Sequence, residues 1–154
     1  MTAIRRNAAR GFTLVEILIV VIILGILAAI VIPQFTNAST EARQSNVKSQ
    51  LQTLRSQIEL YKLQHKDVAP ALVTTGWDVM TKYTDIDGGT SATKDSTHIY
   101  GPYYQTPPVN PLSDSSSCAA AAGANVGWIY IESTGAISAM AGKASNAGVF
   151  DENQ

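Results

Sequence analysis

Glu16 is the residue whose type and position most need a chemical explanation. It closes the run Gly11-Phe12-Thr13-Leu14-Val15-Glu16, and from Ile17 to Ile32 no charged or strongly polar residue follows. A carboxylate at the centre of a membrane helix costs ~2.5–3.5 kcal/mol on insertion scales, and less near an interface, so an acid kept there implies a function and a partner. Just before the run stands Gly11, which has no side chain to obstruct a protein approaching its backbone. Before that comes Met1 to Arg10, with Arg5, Arg6 and Arg10 and no acid. A basic stretch followed by an apolar run directs membrane insertion, and the acid inside that run is a functional hypothesis by default.

The element that must carry these groups is a helix. Phe12 to Ile32 makes 21 residues, which at 1.5 Å per residue gives ~31 Å against a hydrocarbon core of ~30 Å. Arginines before the run, and nothing basic after it until Arg43, put the N-terminus in the cytoplasm by the positive-inside rule. Two plainer readings compete. A cleaved secretory signal needs a small-residue site, for which Thr36-Asn37-Ala38 would serve, but Glu16 and the length of the run argue against it. An uncleaved signal anchor on an unrelated domain is the other. No Cys lies near the run, which excludes a lipoprotein at this end.

Taken together these residues resemble the class III signal of type IV pilins and type II secretion pseudopilins. The resemblance implies that a membrane peptidase cuts the Gly11–Phe12 bond, and that Phe12 becomes an N-methylated N-terminus. It implies that Glu16 pairs with the terminal amine of a neighbouring subunit during assembly, with Phe12 and Pro33 in the same assembly segment. The organisation expected is a leader at 1–11, a transmembrane and filament-core helix at 12–33, an amphipathic continuation at 34–68, and a head at 69–154.

Past the membrane run the helix should continue. Gly25 and Pro33 are the only breakers between Phe12 and Asp67, and an internal proline kinks a helix more readily than it stops one when the pattern resumes. Val47, Leu51, Leu54, Ile58 and Tyr61 then recur at spacings of four, three, four and three, a single apolar stripe. Ala69-Pro70 marks the end. Beyond it, 75–83 reads as a short helix with Asp78 in its first turn, 85–97 as a loop, and 100–111 as extended chain over a surface, too rich in proline for a central strand. Residues 113–125 read as a flexible loop, 128–132 and 136–139 as a β-hairpin with a Gly135 turn, and the end after Gly142 as loose. The fold class is α+β: a long N-terminal helix packed on a small antiparallel sheet.

The head resembles the major pseudopilin type, through Tyr61-Lys62-Leu63 late in the helix, Gly101-Pro102-Tyr103, the proline-rich stretch and the Gly127-Trp128 hairpin. The expected function is a structural subunit of a type II secretion pseudopilus; the alternative is a subunit of a type IV surface pilus for adhesion, motility or DNA uptake. The implied partners are a homopolymer filament, prepilin peptidase, minor pseudopilins, an inner-membrane assembly platform and the membrane, with the head in the periplasm. Cys118 is the only cysteine, so the intramolecular disulfide common in pilins cannot form; its thiol is either inert or an intermolecular partner.

Major pseudopilins typically place calcium in the C-terminal loop instead. Calcium takes six to eight oxygens, whereas Asp151, Glu152 and Asn146 are all that segment offers. Asp85-Ile86-Asp87-Gly88 reads as a solvated turn. No cofactor or metal is therefore assigned, with calcium left open. No catalytic signature occurs: His65 and His98 lack metal-ligand spacing, and no nucleophile elbow, zinc-protease or phosphate-loop pattern is present. The aromatics, two Trp and six Tyr, serve as core or as a sugar platform. Net charge is −1, or −4 once the three leader arginines are subtracted, which gives no nucleic-acid surface.

Overall fold

The computed structural model describes residues 11–144 and 147–152. The leader arginines and Asn146 lie outside them. The chain divides after Thr40 into two compact units. One helix, α1 (Leu14–Gln64), supplies the body of the first and the opening element of the second. It begins at Leu14, two residues inside the expected start, passes through Pro33, and stops at Gln64, four short of the expected Val68. The stop has a local cause. Lys66 and Asp67 adopt positive φ, 56° and 64°, and the Asp67 N–H turns back to the Lys62 carbonyl at 2.9 Å. Left-handed residues at a helix C-terminus satisfy its orphan carbonyls in this way.

In the second unit the α1 stripe is the floor of the core. Val47, Leu51, Leu54, Ile58 and Tyr61 are all buried, as the periodicity predicts, and cluster with Leu72, Met80, Trp128, Tyr130, Ile137 and Ala139. After α1 come α2 (Asp78–Thr81), β1 (Tyr83–Thr84), β2 (Thr90–Ser91), β3 (Cys118–Ala119), β4 (Trp128–Ile131) and β5 (Ala136–Ala139). The hairpin β4–β5 lies where it is expected, in register Trp128↔Ala139 and Tyr130↔Ile137. These four side chains alternate with outward ones along each strand and face the core. Gly135 turns the hairpin at φ 77°, a conformation that a side chain would strain. A lone two-stranded hairpin is marginal in water; burial against α1 stabilises this one.

Four expectations need correction. The sheet is mixed, because Cys118 and Ala119, read as loop, pair parallel with Trp128 and Ile129. Gly127 permits the approach: a Cβ there would lie 2.1 Å from the Ser115 carbonyl oxygen. Second, 85–97 is not all loop, since β2 pairs antiparallel with β1. Third, the 100–111 segment does not simply run over the surface. Asn110 is fully buried, and its Nδ2 donates to the carbonyls of Gly127 at 2.8 Å and Met140 at 2.9 Å. Its Oδ1 accepts the Leu112 N–H at 2.8 Å, and Trp128 Nε1 donates to the Pro108 carbonyl at 2.9 Å.

Fourth, the end of the chain is tied down over 147–152. Phe150 N–H donates to the Ala139 carbonyl at 2.8 Å, on the edge of β5 away from β4. Arg55 grips the Glu152 carboxylate with both terminal nitrogens, Nη1 to Oε2 at 2.7 Å and Nη2 to Oε1. Arg55 Nη2 also donates to the Ile137 carbonyl at 3.1 Å, and Lys48 Nζ to the Glu152 carbonyl at 2.7 Å. A fork-to-carboxylate geometry is the strongest form of surface pair. The Arg55 hydrogen bond holds the Glu152 carboxyl below the usual range. A depressed folded-state pKa contributes stability that is present above the unfolded value near 4.3 and is lost as pH falls through the folded value. Glu152→Gln should therefore lower stability by about 1 kcal/mol at neutral pH, given solvent screening of this exposed pair. The gap between variant and parent should close below about pH 4 and shrink in high salt. Thermal melts of the soluble head at pH 7 and pH 3 check this.

Candidate assembly segment

The first unit is a helix without an internal core. Every described residue before Val47 is exposed, among them Phe12 at 77% and Leu14 at 82%. α1 contains the one span among the described helices long and apolar enough to cross a membrane, with an eighteen-residue stretch of mean hydropathy 3.3 of which none is buried. Apolar surface left bare in this way needs lipid or other helices around it.

At the mouth of this helix Glu16 is engaged locally. The Thr13 N–H donates to Glu16 Oε2 at 3.5 Å, and the Glu16 N–H donates to Thr13 Oγ1 at 3.2 Å. Thr-x-x-Glu with reciprocal bonds is a capping box, which satisfies two of the N–H groups that a helix start leaves unpaired. The carboxylate also lies at the positive end of the helix dipole. The signal for the cap is the Thr13-x-x-Glu16 spacing itself, which lies just before the apolar run. Gly11 stands free before the helix, with nothing within 4 Å of where a Cβ would be. Packing among the described residues therefore does not demand glycine there. Pro33 sits inside α1 and has no N–H to give, and just beyond it Thr36 Oγ1 and Thr40 Oγ1 donate to the carbonyls four residues back, at 3.2 and 3.0 Å. Such back-bonding by hydroxyls is known to bend helices slightly.

Among the described residues of the head, the polar groups mostly organise the fold itself. His65 is buried and stacked on Tyr61, ring centroids 3.7 Å apart. Its Nδ1 lies 2.8 Å from the Tyr61 carbonyl and its Nε2 3.0 Å from Thr84 Oγ1, the environment of a structural histidine. Asp85 Oδ1 accepts the N–H groups of Asp87 and Gly89 at 2.9 and 2.8 Å, so it organises its own turn. Asp95, held down to about 2 first by the His98 backbone N–H and then by that of Thr97, does the same for 95–98. Among the described residues no group of three or more His, Cys, Asp or Glu is placed to hold a metal ion. Burial pushes the Cys118 thiol up to about 12, which keeps it protonated and slow to react. Trp77, Trp128 and Tyr130 belong to the core.

An exposed apolar helix with a capped acid at its start, followed in the chain by a small α+β head, defines a class: a protein anchored in a membrane by its N-terminal helix. Residues 6–32 match the family described as the prokaryotic N-terminal methylation motif. The chain is similar to the type II secretion system core protein G of Klebsiella michiganensis, 42% identical over 59 residues, covering 38% of this chain and 42% of that protein. It is also similar to the type IV major fimbrial protein FimA of Dichelobacter nodosus, 38% identical over 92 residues, covering 60% of this chain and 56% of that one. The narrow-pilus major component PilA5 of Thermus thermophilus is 40% identical over 60 residues, 39% of this chain and 52% of PilA5. The chain thus spans about half the length of the curated relatives it matches. No solved structure matches the chain significantly. In its N-terminal segment the chain is thus similar to pilins and pseudopilins.

Proposed function

We propose that the chain is the structural subunit of a type II secretion pseudopilus, and that its role is mechanical rather than catalytic. The observation that carries this is the Gly11–Glu16 segment at the start of an unburied apolar helix, within the matched methylation motif. In this reading the subunit waits in the inner membrane, cytoplasmic at its N-terminus and periplasmic at its head. Prepilin peptidase hydrolyses the Gly11–Phe12 bond, and the new Phe12 amine is methylated. Glu16 exchanges its bond from the Thr13 N–H for the cationic amine of a neighbour. Apolar helices leaving lipid for a helix bundle gain little from the move itself, so close packing and this charge pair decide register. Growth on an inner-membrane platform, with minor pseudopilins, moves exported proteins outward. The reading includes no cofactor.

Similarity to core protein G supports secretion as the setting. The longer FimA alignment, 92 residues against 59, favours a surface pilus as the second reading. Intact mass and N-terminal sequencing of protein from membranes of cells with their own peptidase should give a start at methylated Phe12. A start at Met1 would mean a signal anchor, and one near Ser39 an ordinary secreted protein. Either would overturn both readings. Loss of export without loss of surface pili in a deletion strain separates the first from the second.

A further inference from the structure

The segment 147–152 lies along the outer edge of β5 with little core packing to hold it. None of its six residues is buried, and Val149 is 55% exposed. Of the six, Phe150 packs on the core, and it also borders an open cleft of about 250 Å³ with Glu41, Gln44, Ser45 and Lys48 of α1. Its backbone ties to β5 run from Phe150 N–H to the Ala139 carbonyl at 2.8 Å and from Ala141 N–H to the Gly148 carbonyl at 3.1 Å. They flank the antiparallel pair Met140↔Val149. Continued in that register, the ladder would next bring the Glu152 N–H to the Ile137 carbonyl. At that place a side chain stands in the ladder. The Ile137 carbonyl accepts Arg55 Nη2 at 3.1 Å, and the same guanidinium grips the Glu152 carboxylate. Lys48 Nζ reaches the Glu152 carbonyl at 2.7 Å. Two cations of α1 thus converge on one residue, with Asp151 beside it as a like charge.

We propose that 147–152 is a detachable edge strand, a strap that opens and closes over β5 while the rest of the head stays folded, and that Glu152 is its latch. Segments with few buried apolar contacts and exposed backbone bonds open at lower free energy than a core, and this one has both features. The pairing of β5 with β4 lies on its other edge and does not pass through the strap. There the Met140 N–H donates to the Gly127 carbonyl at 3.1 Å. An open strap leaves the Ala139 carbonyl and the Ala141 N–H bare, and a bare strand edge is a template for pairing with another strand. The strap is the cover of that edge, held by charge more than by packing.

Hydrogen exchange of the full chain in detergent micelles, read at single amides against urea, tests this. The Ala141 and Phe150 N–H groups, bonded between strap and β5, should exchange about a hundredfold or more faster than the Met140 N–H once intrinsic rates are removed. Their rates should hardly change at low urea. The Met140 rate, one residue away on the opposite edge, should follow the urea dependence of global unfolding. In Glu152→Gln the Ala141 and Phe150 rates should rise about fivefold, the effect of one well-formed exposed ion pair, and stay insensitive to urea. If Ala141 and Phe150 share the protection and urea dependence of Met140, the strap leaves only with the whole head, and the proposal is overturned. Unchanged Ala141 and Phe150 rates in Glu152→Gln would overturn the latch.

Discussion

Cells expressing the Glu16→Ala chain should contain processed subunit in the inner membrane and no filaments. The variant leaves Gly11 and Phe12 untouched, so the proposed cleavage and methylation should proceed, and alanine is a good helix residue. It loses the Thr13 N–H bond to the carboxylate and keeps the backbone N–H bond to Thr13 Oγ1, a loss of about 1 kcal/mol or less at a helix start, too little to displace an apolar helix from lipid. Assembly is affected differently. In the bundle each Phe12 amine would be buried without its counter-charge, and breaking a buried pair from one side costs ~3–5 kcal/mol. That is roughly a hundred- to several-thousand-fold per added subunit. Electron microscopy of sheared and periplasmic fractions, alongside a processing immunoblot, reads both halves of the result. Normal filaments would sink the pairing role of Glu16.

The second large effect is expected at Asn110. Asn110→Leu keeps most of the side-chain volume and removes three hydrogen bonds, leaving the Met140 carbonyl and the Leu112 N–H without the Asn110 partner and the Gly127 carbonyl with the Met140 N–H alone. At ~1–3 kcal/mol for each buried group, the head should lose about 3 kcal/mol or more. For a domain of about this size that lowers the melting temperature by at least ~10 °C. Calorimetry of the head checks it; a shift under about 3 °C would mean that other groups replace those bonds. Asn110 ties the proline-rich segment to both ends of the β4–β5 hairpin, so local loosening should follow. Faster amide exchange at Leu112 and Met140 is the signature.

What the sequence made legible and what it hid divide along a physical line. The stripe Val47–Tyr61 and the hairpin 128–139 are periodic, and periodicity is local information. Glu16 and Gly11 stood out because an acid in lipid and a glycine before it are costly or unusual on their own. Asn110, the parallel partner strand at Cys118-Ala119 and the Arg55–Glu152 tie were not legible. Each depends on contacts between segments apart in the chain, 10 residues for the Cys118–Trp128 pairing and 17 to 97 for the side-chain bonds. The Ser/Ala-rich stretch around Cys118 gives no strand signal of its own; it is a strand because Gly127 lets another backbone come close. Helix ends were misjudged by a few residues for a related reason. Positive φ at Lys66 and Asp67 is a choice that no propensity scale encodes.

The α1 helix also bears on how such a chain can drift through generations of mutation. Along 14–40 no described side chain is buried against another part of the chain. Exchanges among Ile, Val and Leu there leave hydropathy intact and face no test from the subunit's own packing. From Val47 onward the filter reverses. Val47, Leu51, Leu54, Ile58 and Tyr61 sit in a closed core, where trimming a Leu or Ile to Ala costs ~2–5 kcal/mol, while Gln52, Ser56 and Glu59 between them are exposed and free to change as far as folding is concerned. One continuous helix is thus under two selection regimes, one set by the surrounding medium and one by shape. Beyond hydropathy and the Thr13–Glu16 cap, the subunit's own packing places no constraint on the first half.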